Sequence, residues 1–135
     1  LGDISRRMVA QANLNYLNRQ NYSFPPDHGA RLVTMILEDA TLRADWMAEL
    51  EEMRHNMLGL RQLLADELRR ATNSDRFDFV ANHRGMFSRL GLTEAQVETL
   101  RRDHGIYMVS DSRINVAGLN ARTVPILATA IASVA

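Results

Sequence analysis

Apolar positions along this chain follow a helical period through its first half and lose it in the second. Asp3 can cap a helix running to about Asn18, with Ile4, Val9, Ala12 and Tyr16 on one imperfect face. Residues 21–29 (NYSFPPDHG) hold two prolines, a glycine and polar side chains, and so predict an extended or turning loop. Residues 30–37 carry Leu32, Val33, Met35, Ile36 and Leu37 on nearly all sides, the pattern of a short buried helix. Asp39 then caps the longest element, from Ala40 to about Arg70. Its apolar seam of Leu42, Trp46, Leu50, Met53, Met57, Leu60, Leu64 and Leu68 repeats every three or four residues and reads as core. At about 45 Å such a helix exceeds the width of a small domain, which suits a connection between two bodies, with a coiled coil as the competing explanation. Gly59 inside it costs about 1 kcal/mol relative to alanine and predicts a bend or a close approach there.

From Asn73 the period changes. Phe77 and Phe79 alternate with Asp78 and lead through His83, Arg84 and Gly85 into residues 86–90, the pattern of a short antiparallel pair. Thr93 with Gln96 forms a capping box, Val97 and Leu100 supply a buried face, and Gly105 closes the helix as a left-handed cap. Residues 106–109 and 113–117 flank Asp111 and Ser112 as a second strand-turn-strand unit. A last helix over 121–134 places Val124, Leu127, Ala128 and Ile131 on one face. The fold class expected is α+β, a long connecting helix joined to a small antiparallel sheet flanked by helices.

Composition narrows the chemistry. The 135 residues are 46% hydrophobic and 24% charged, enough for one domain with a real core, and no apolar run approaches a membrane span. Sixteen basic residues balance sixteen acidic ones, so no global field draws the chain to nucleic acid or an anionic membrane, and neither is expected as a partner. All sixteen basic residues are arginine; the chain has no lysine and no cysteine. It therefore lacks a lysine base, a thiol nucleophile and a disulfide framework, and a cytoplasmic location is the default expectation. The chain opens on Leu1 with a helix already starting by Asp3, as a segment of a larger protein would.

The four histidines, His28, His55, His83 and His104, form no HExxH and have no second ligand at helical spacing, so no metal site is expected. Glycine-rich phosphate loops and a G-x-S-x-G elbow are absent. Glu38-Asp39 and Glu51-Glu52 read as a helix cap and a solvated face. Two arginines stand apart. Arg113, beside Ile114 and Val116 in a predicted strand, would be partly buried and in need of an anion: a ligand carboxylate gripped by its planar fork, or an internal partner such as Asp111. Arg19, just before the proline loop, could be aimed across a cleft or simply serve the helix end.

Several motifs occur together in one order: Arg-Gln-Asn-Tyr-Ser-Phe-Pro-Pro-Asp-His-Gly at 19–29, Trp46, Glu-Glu-Met-Arg at 51–54, Arg-Gly-Met-Phe-Ser at 84–88, Gly-Leu-Thr at 91–93, and 113–118. Together they resemble the C-terminal third of class I, fold type I aminotransferases of the aspartate and aromatic amino acid (tyrosine) family. The resemblance implies a pyridoxal 5'-phosphate enzyme, working as a homodimer, that exchanges an amino group between an amino acid and a 2-oxo acid. It implies that Arg113 clamps the substrate α-carboxylate. Arg19 from the partner subunit would meet a distal carboxylate or swing aside for an aromatic ring. By the same likeness Phe87 lines the substrate cleft and Ser23 sits beside Arg19 at the subunit junction. Residues 1–39 would end the large cofactor-binding domain, 40–70 would connect the domains, and 71–135 would form most of the small C-terminal domain.

The family's Schiff-base lysine, its pyridine-nitrogen aspartate and its phosphate-binding residues would lie upstream of Leu1, so this chain contributes no catalytic residue. Alone it is expected to be inactive and not to bind the cofactor, and its uncovered apolar surface is expected to drive self-association. Ser112 stands where the family commonly has glycine, Arg89-Leu90 where aromatic or small residues are frequent, and Phe24 is bulkier than usual. These departures bear on the distal pocket, with aromatic and dicarboxylic substrates expected and plain aspartate specificity close behind. The alternative is a non-catalytic binding or dimerisation module whose arginines are structural.

Overall fold

A computed structural model describes residues 3–24 and 26–135; Pro25 of the predicted loop lies outside them. The elements in order are α1 (Ile4–Asn21), α2 (His28–Glu38), α3 (Ala40–Thr72), α4 (Phe79–Asn82), β1 (Phe87–Arg89), α5 (Glu94–His104), β2 (Arg113–Asn115), a 3-10 turn (Val116–Gly118) and α6 (Thr123–Ala132). The chain divides into two compact units, Leu1–Met47 and Ala48–Ala135, with the division inside α3.

In the first unit, local signals set the helices. Asp3 caps α1 by accepting from the Ser5 amide at 2.9 Å. The helix runs three residues past its predicted end, and the Tyr22 and Ser23 amides then donate to the Asn18 and Arg19 carbonyls. Ser23 turns the chain with a left-handed backbone, φ 59°. Residues 30–37 are helical as predicted, within α2, but they are not buried: neither α1 nor α2 has a buried residue, and Leu32, Val33, Met35 and Leu37 are exposed. Their apolar pattern meets no covering layer among the described residues.

Asp39 caps α3 as expected, accepting from the Thr41 and Leu42 amides at 2.8 and 2.9 Å. The predicted seam is core only toward its C-terminal end. Leu64 and Leu68 are buried, whereas Leu42, Trp46, Leu50 and Met53 are exposed. Helix α3 is continuous through Gly59, and an added Cβ there would meet nothing within 4 Å, so the glycine serves no close packing.

The second unit holds the core. Leu64 and Leu68 of α3 pack with Phe77, Val80, Leu90, Leu100, Val116, Val124 and Ile131, all about fully removed from water. Each side chain of this kind contributes roughly 1.5–3 kcal/mol by burial. Helix α5 begins with the capping box of Thr93 and Gln96 and ends on Gly105 at φ 63°, as its sequence signals require. Helix α6 spans Thr123–Ala132 and buries Val124, Leu127, Ala128 and Ile131.

Strand pairing differs from the sequence expectation. Phe77 to Phe79 is no strand: the Val80 and Ala81 amides donate to the Phe77 and Asp78 carbonyls, and the segment enters α4. An alternation only three residues long fits a tight helical turn as well as a strand, and burial of Phe77 and Val80 decides between them. The sheet is instead β1 with β2, antiparallel, with Phe87 opposite Asn115, Ser88 opposite Ile114 and Arg89 opposite Arg113. Residues 106–109 form no strand; the partner of 113–115 lies 26 residues back along the chain, not next to it. Mostly helical with one small antiparallel sheet, the chain is α+β.

Candidate functional site

Four site residues were expected, and they fall into two pairs. Arg19 and Ser23 lie together at the end of α1, where the Ser23 amide donates to the Arg19 carbonyl at 3.2 Å and both side chains are exposed. Arg113 and Phe87 lie together in the second unit. They are diagonal neighbours on one face of the β1–β2 ribbon, and the Arg113 guanidinium stands 5.6 Å from the Phe87 ring centroid.

Arg113 is exposed, not partly buried as its neighbours suggested. The strand period explains the difference. Ser112, Ile114 and Val116 face inward and are buried, which turns Arg113 and Asn115 outward. Its suggested internal partner is taken: Asp111 lies 3.4 Å from Arg89, the residue directly opposite Arg113. Asp111 touches Arg113 only through a carboxylate oxygen that accepts from the Arg113 amide at 3.1 Å. Among the described residues no carboxylate pairs with the Arg113 guanidinium, which leaves its fork available to an external anion.

Ser112 fixes the turn that delivers Arg113. Its φ of 62° is left-handed, a region that favours glycine, and its side chain is fully buried. The buried hydroxyl accepts from the Gly91 and Leu92 amides at 3.0 and 3.2 Å, and these two bonds offset the backbone strain.

Sequence reasoning missed Arg61, which is 1% exposed on α3. Nη1 donates to Ser88 Oγ at 2.6 Å and the Val80 carbonyl at 3.3 Å; Nη2 donates to the Gly85 and Phe87 carbonyls at 2.7 and 3.1 Å. Nε is buried without a partner. Burial, and then the nearby Arg84 cation, push its pKa below the usual guanidinium range, yet a guanidinium stays charged. No carboxylate neutralises it among the described residues; oxygen dipoles of one turn do so instead. The available signal was register: Met57, Arg61, Leu64, Ala65 and Leu68 share a helical face. An apolar groove flanks this point, walled by Leu50, Met53, Met57 and Met86 with Arg61 and Arg84.

Comparison of the whole chain with known proteins defines its family. The chain matches the aminotransferase class I and II model over residues 4–131 and belongs to that family. It is 60% identical over 132 residues to the aromatic-amino-acid aminotransferase of Paracoccus denitrificans, covering 98% of this chain and 34% of that protein. An aromatic amino acid aminotransferase solved with 3-indolebutyric acid superposes with a TM-score of 0.93 at 60% identity, over 98% of this chain and 34% of that one. The aromatic-amino-acid aminotransferase from Burkholderia pseudomallei, solved covalently bound to pyridoxal phosphate, gives 0.89 at 44% identity, over 96% of this chain and 33% of that one. The fold is a fragment of fold type I, and the chain spans about a third of the length of these relatives.

This chain lacks the side-chain amine that covalent attachment of pyridoxal phosphate needs. With no lysine among 135 residues, nothing here can hold the cofactor covalently. No helix among the described residues is long and apolar enough to cross a membrane.

Proposed function

We propose that the chain is about a third of a pyridoxal-phosphate aminotransferase that moves an amino group between an aromatic or dicarboxylic amino acid and a 2-oxo acid. In this reading Arg113 grips the α-carboxylate common to every substrate. The observation that carries it is an exposed guanidinium without an ion pair among the described residues, held 5.6 Å from the Phe87 ring on a strand whose flanking side chains are buried. Phe87 then lines the substrate side of the clamp, and Arg89 draws Asp111 away from it. The order of the motifs from 19–29 to 113–118 supports assignment to this family.

Arg19 and Ser23 would act in a homodimer, across the subunit junction, with Arg19 answering a distal carboxylate. Residues 1–39, 40–70 and 71–135 would be the end of the large domain, the connecting helix and the small domain of a cytoplasmic enzyme. When bound, the cofactor supplies the electron sink for amino-group exchange. Residues outside this chain would hold it, so the chain alone does not carry out the reaction.

The test is a pair of substitutions in the full-length protein. Arg113→Leu should raise KM and lower kcat for every amino acid, with kcat/KM falling on the order of 100-fold as the fork is lost. Unchanged kinetics would remove the assignment. Arg19→Leu should hurt dicarboxylic substrates far more than aromatic ones, and equal losses would argue against a distal-carboxylate role.

A further inference from the structure

We propose that Arg61 is a positioning residue for substrate carboxylate binding, holding the 85–88 turn so that Phe87 and Arg113 keep their mutual geometry; this rests on the reading of Arg113 as the carboxylate clamp. Arg61 spends all four of its bonds on one short stretch of chain and its approach. Two of its acceptors, the Phe87 carbonyl and Ser88 Oγ, lie in β1 itself, and a third, the Gly85 carbonyl, lies two residues before Phe87. The fourth, the Val80 carbonyl, ties the same guanidinium to α4.

The far side of the turn is already fixed. The Val116 amide donates to the Met86 carbonyl at 2.7 Å, and Ser88 faces Ile114 in register. His83 Nδ1 lies 3.1 Å from Ser88 Oγ and completes that hydroxyl's surroundings. Phe87 is itself half-exposed, so its ring is not clamped by packing; its direction is set by the backbone that Arg61 holds. A planar fork suits this arrangement, because its two terminal nitrogens reach the Gly85 and Phe87 carbonyls and the Ser88 hydroxyl at once. A lysine ammonium at position 61 would be a point donor and could not span them.

The experiment measures equilibrium binding of 3-indolebutyric acid, a carboxylate with no amino group to transfer, to the full-length, cofactor-loaded protein, alongside its thermal midpoint. Arg61→Lys should raise the Kd about 10- to 100-fold through misplacement of the clamp. The effect should shrink to less than about threefold when Phe87 is already alanine, because the two residues act in series. A purely structural arginine would lower the midpoint and leave the Kd of the folded protein unchanged, and that result overturns the proposal. An equal loss in the Phe87→Ala background overturns it as well.

Should Arg61→Lys fail to fold, Ser88→Ala removes the acceptor of the shortest bond and leaves the cation in place. A rise in Kd of several-fold supports the proposal, and unchanged binding rejects it. Arg113→Leu, measured in parallel, separates the two levels. If it leaves binding intact, the clamp reading itself fails; if it abolishes binding while Arg61→Lys does not, only the role of Arg61 fails.

Discussion

The two compact units form helices equally well and bury side chains very unequally. Helices α1 and α2 of the first unit contain no buried residue, whereas the second unit gathers fifteen buried apolar residues into one cluster. Helix formation here follows from caps and period, which are local; burial depends on residues brought together from far along the chain. The exposed Leu32, Val33 and Met35 therefore carry the pattern of a core position without its energy.

The sharpest way to break this contrast is to truncate one side chain in each unit and unfold the 135-residue chain with urea. Phe77→Ala should remove about 3–5 kcal/mol, as a cavity opens in a packed site. Leu32→Ala should stay within about 0.5 kcal/mol. A loss at Leu32 approaching that at Phe77 would mean that the first unit has a covered face after all.

A smaller effect sharpens the picture within the second unit. Ser112→Ala should destabilise by about 1–3 kcal/mol, because the Gly91 and Leu92 amides lose a buried acceptor while the left-handed backbone stays strained. Ser112→Gly loses the same acceptor but relieves the backbone, so its loss should be smaller by about 1 kcal/mol. Equal losses in the two variants would show that the strain at φ 62° contributes nothing.

The smallest effect belongs to the exposed part of α3. The hydrogen bond from Arg54 holds the Glu51 carboxyl below its ordinary 4.5, with the Arg54 and His55 charges acting in the same direction. A lowered folded pKa gives stability that is complete above 4.5 and is lost as pH falls through the folded value. Thermal midpoints of Glu51→Gln from pH 7 down to pH 3 should show a slightly flatter acid limb than the parent, and an identical limb would assign no stability to this pair.

Legibility in the sequence follows the same local-versus-distant division. The Asp3 and Asp39 caps, the Thr93–Gln96 box and Gly105 are readable because each signal and its partner sit within five residues. The β1–β2 pairing joins residues 24 to 28 apart and leaves no signal between sequence neighbours. Phe77 and Phe79 misled because a three-residue alternation does not separate a strand from a turn of helix. Of the candidate site, Arg113 was found for a reason that was half right: its strand was correct, its depth was not, since the inward set is 112, 114 and 116. Arg61 escaped because an arginine in an amphipathic helix is ordinarily solvated, and the acceptors that bury it come from residues 80–88.

One consequence of the Arg61 arrangement concerns alkaline solution. A lysine sealed in the same place would shed its proton as the medium became basic, and its hold on the turn would weaken with it. A guanidinium keeps its charge throughout the range in which proteins are handled. With arginine supplying every side-chain cation apart from the four histidines, the guanidinium bonds that tie α3 to the 85–88 turn persist in base.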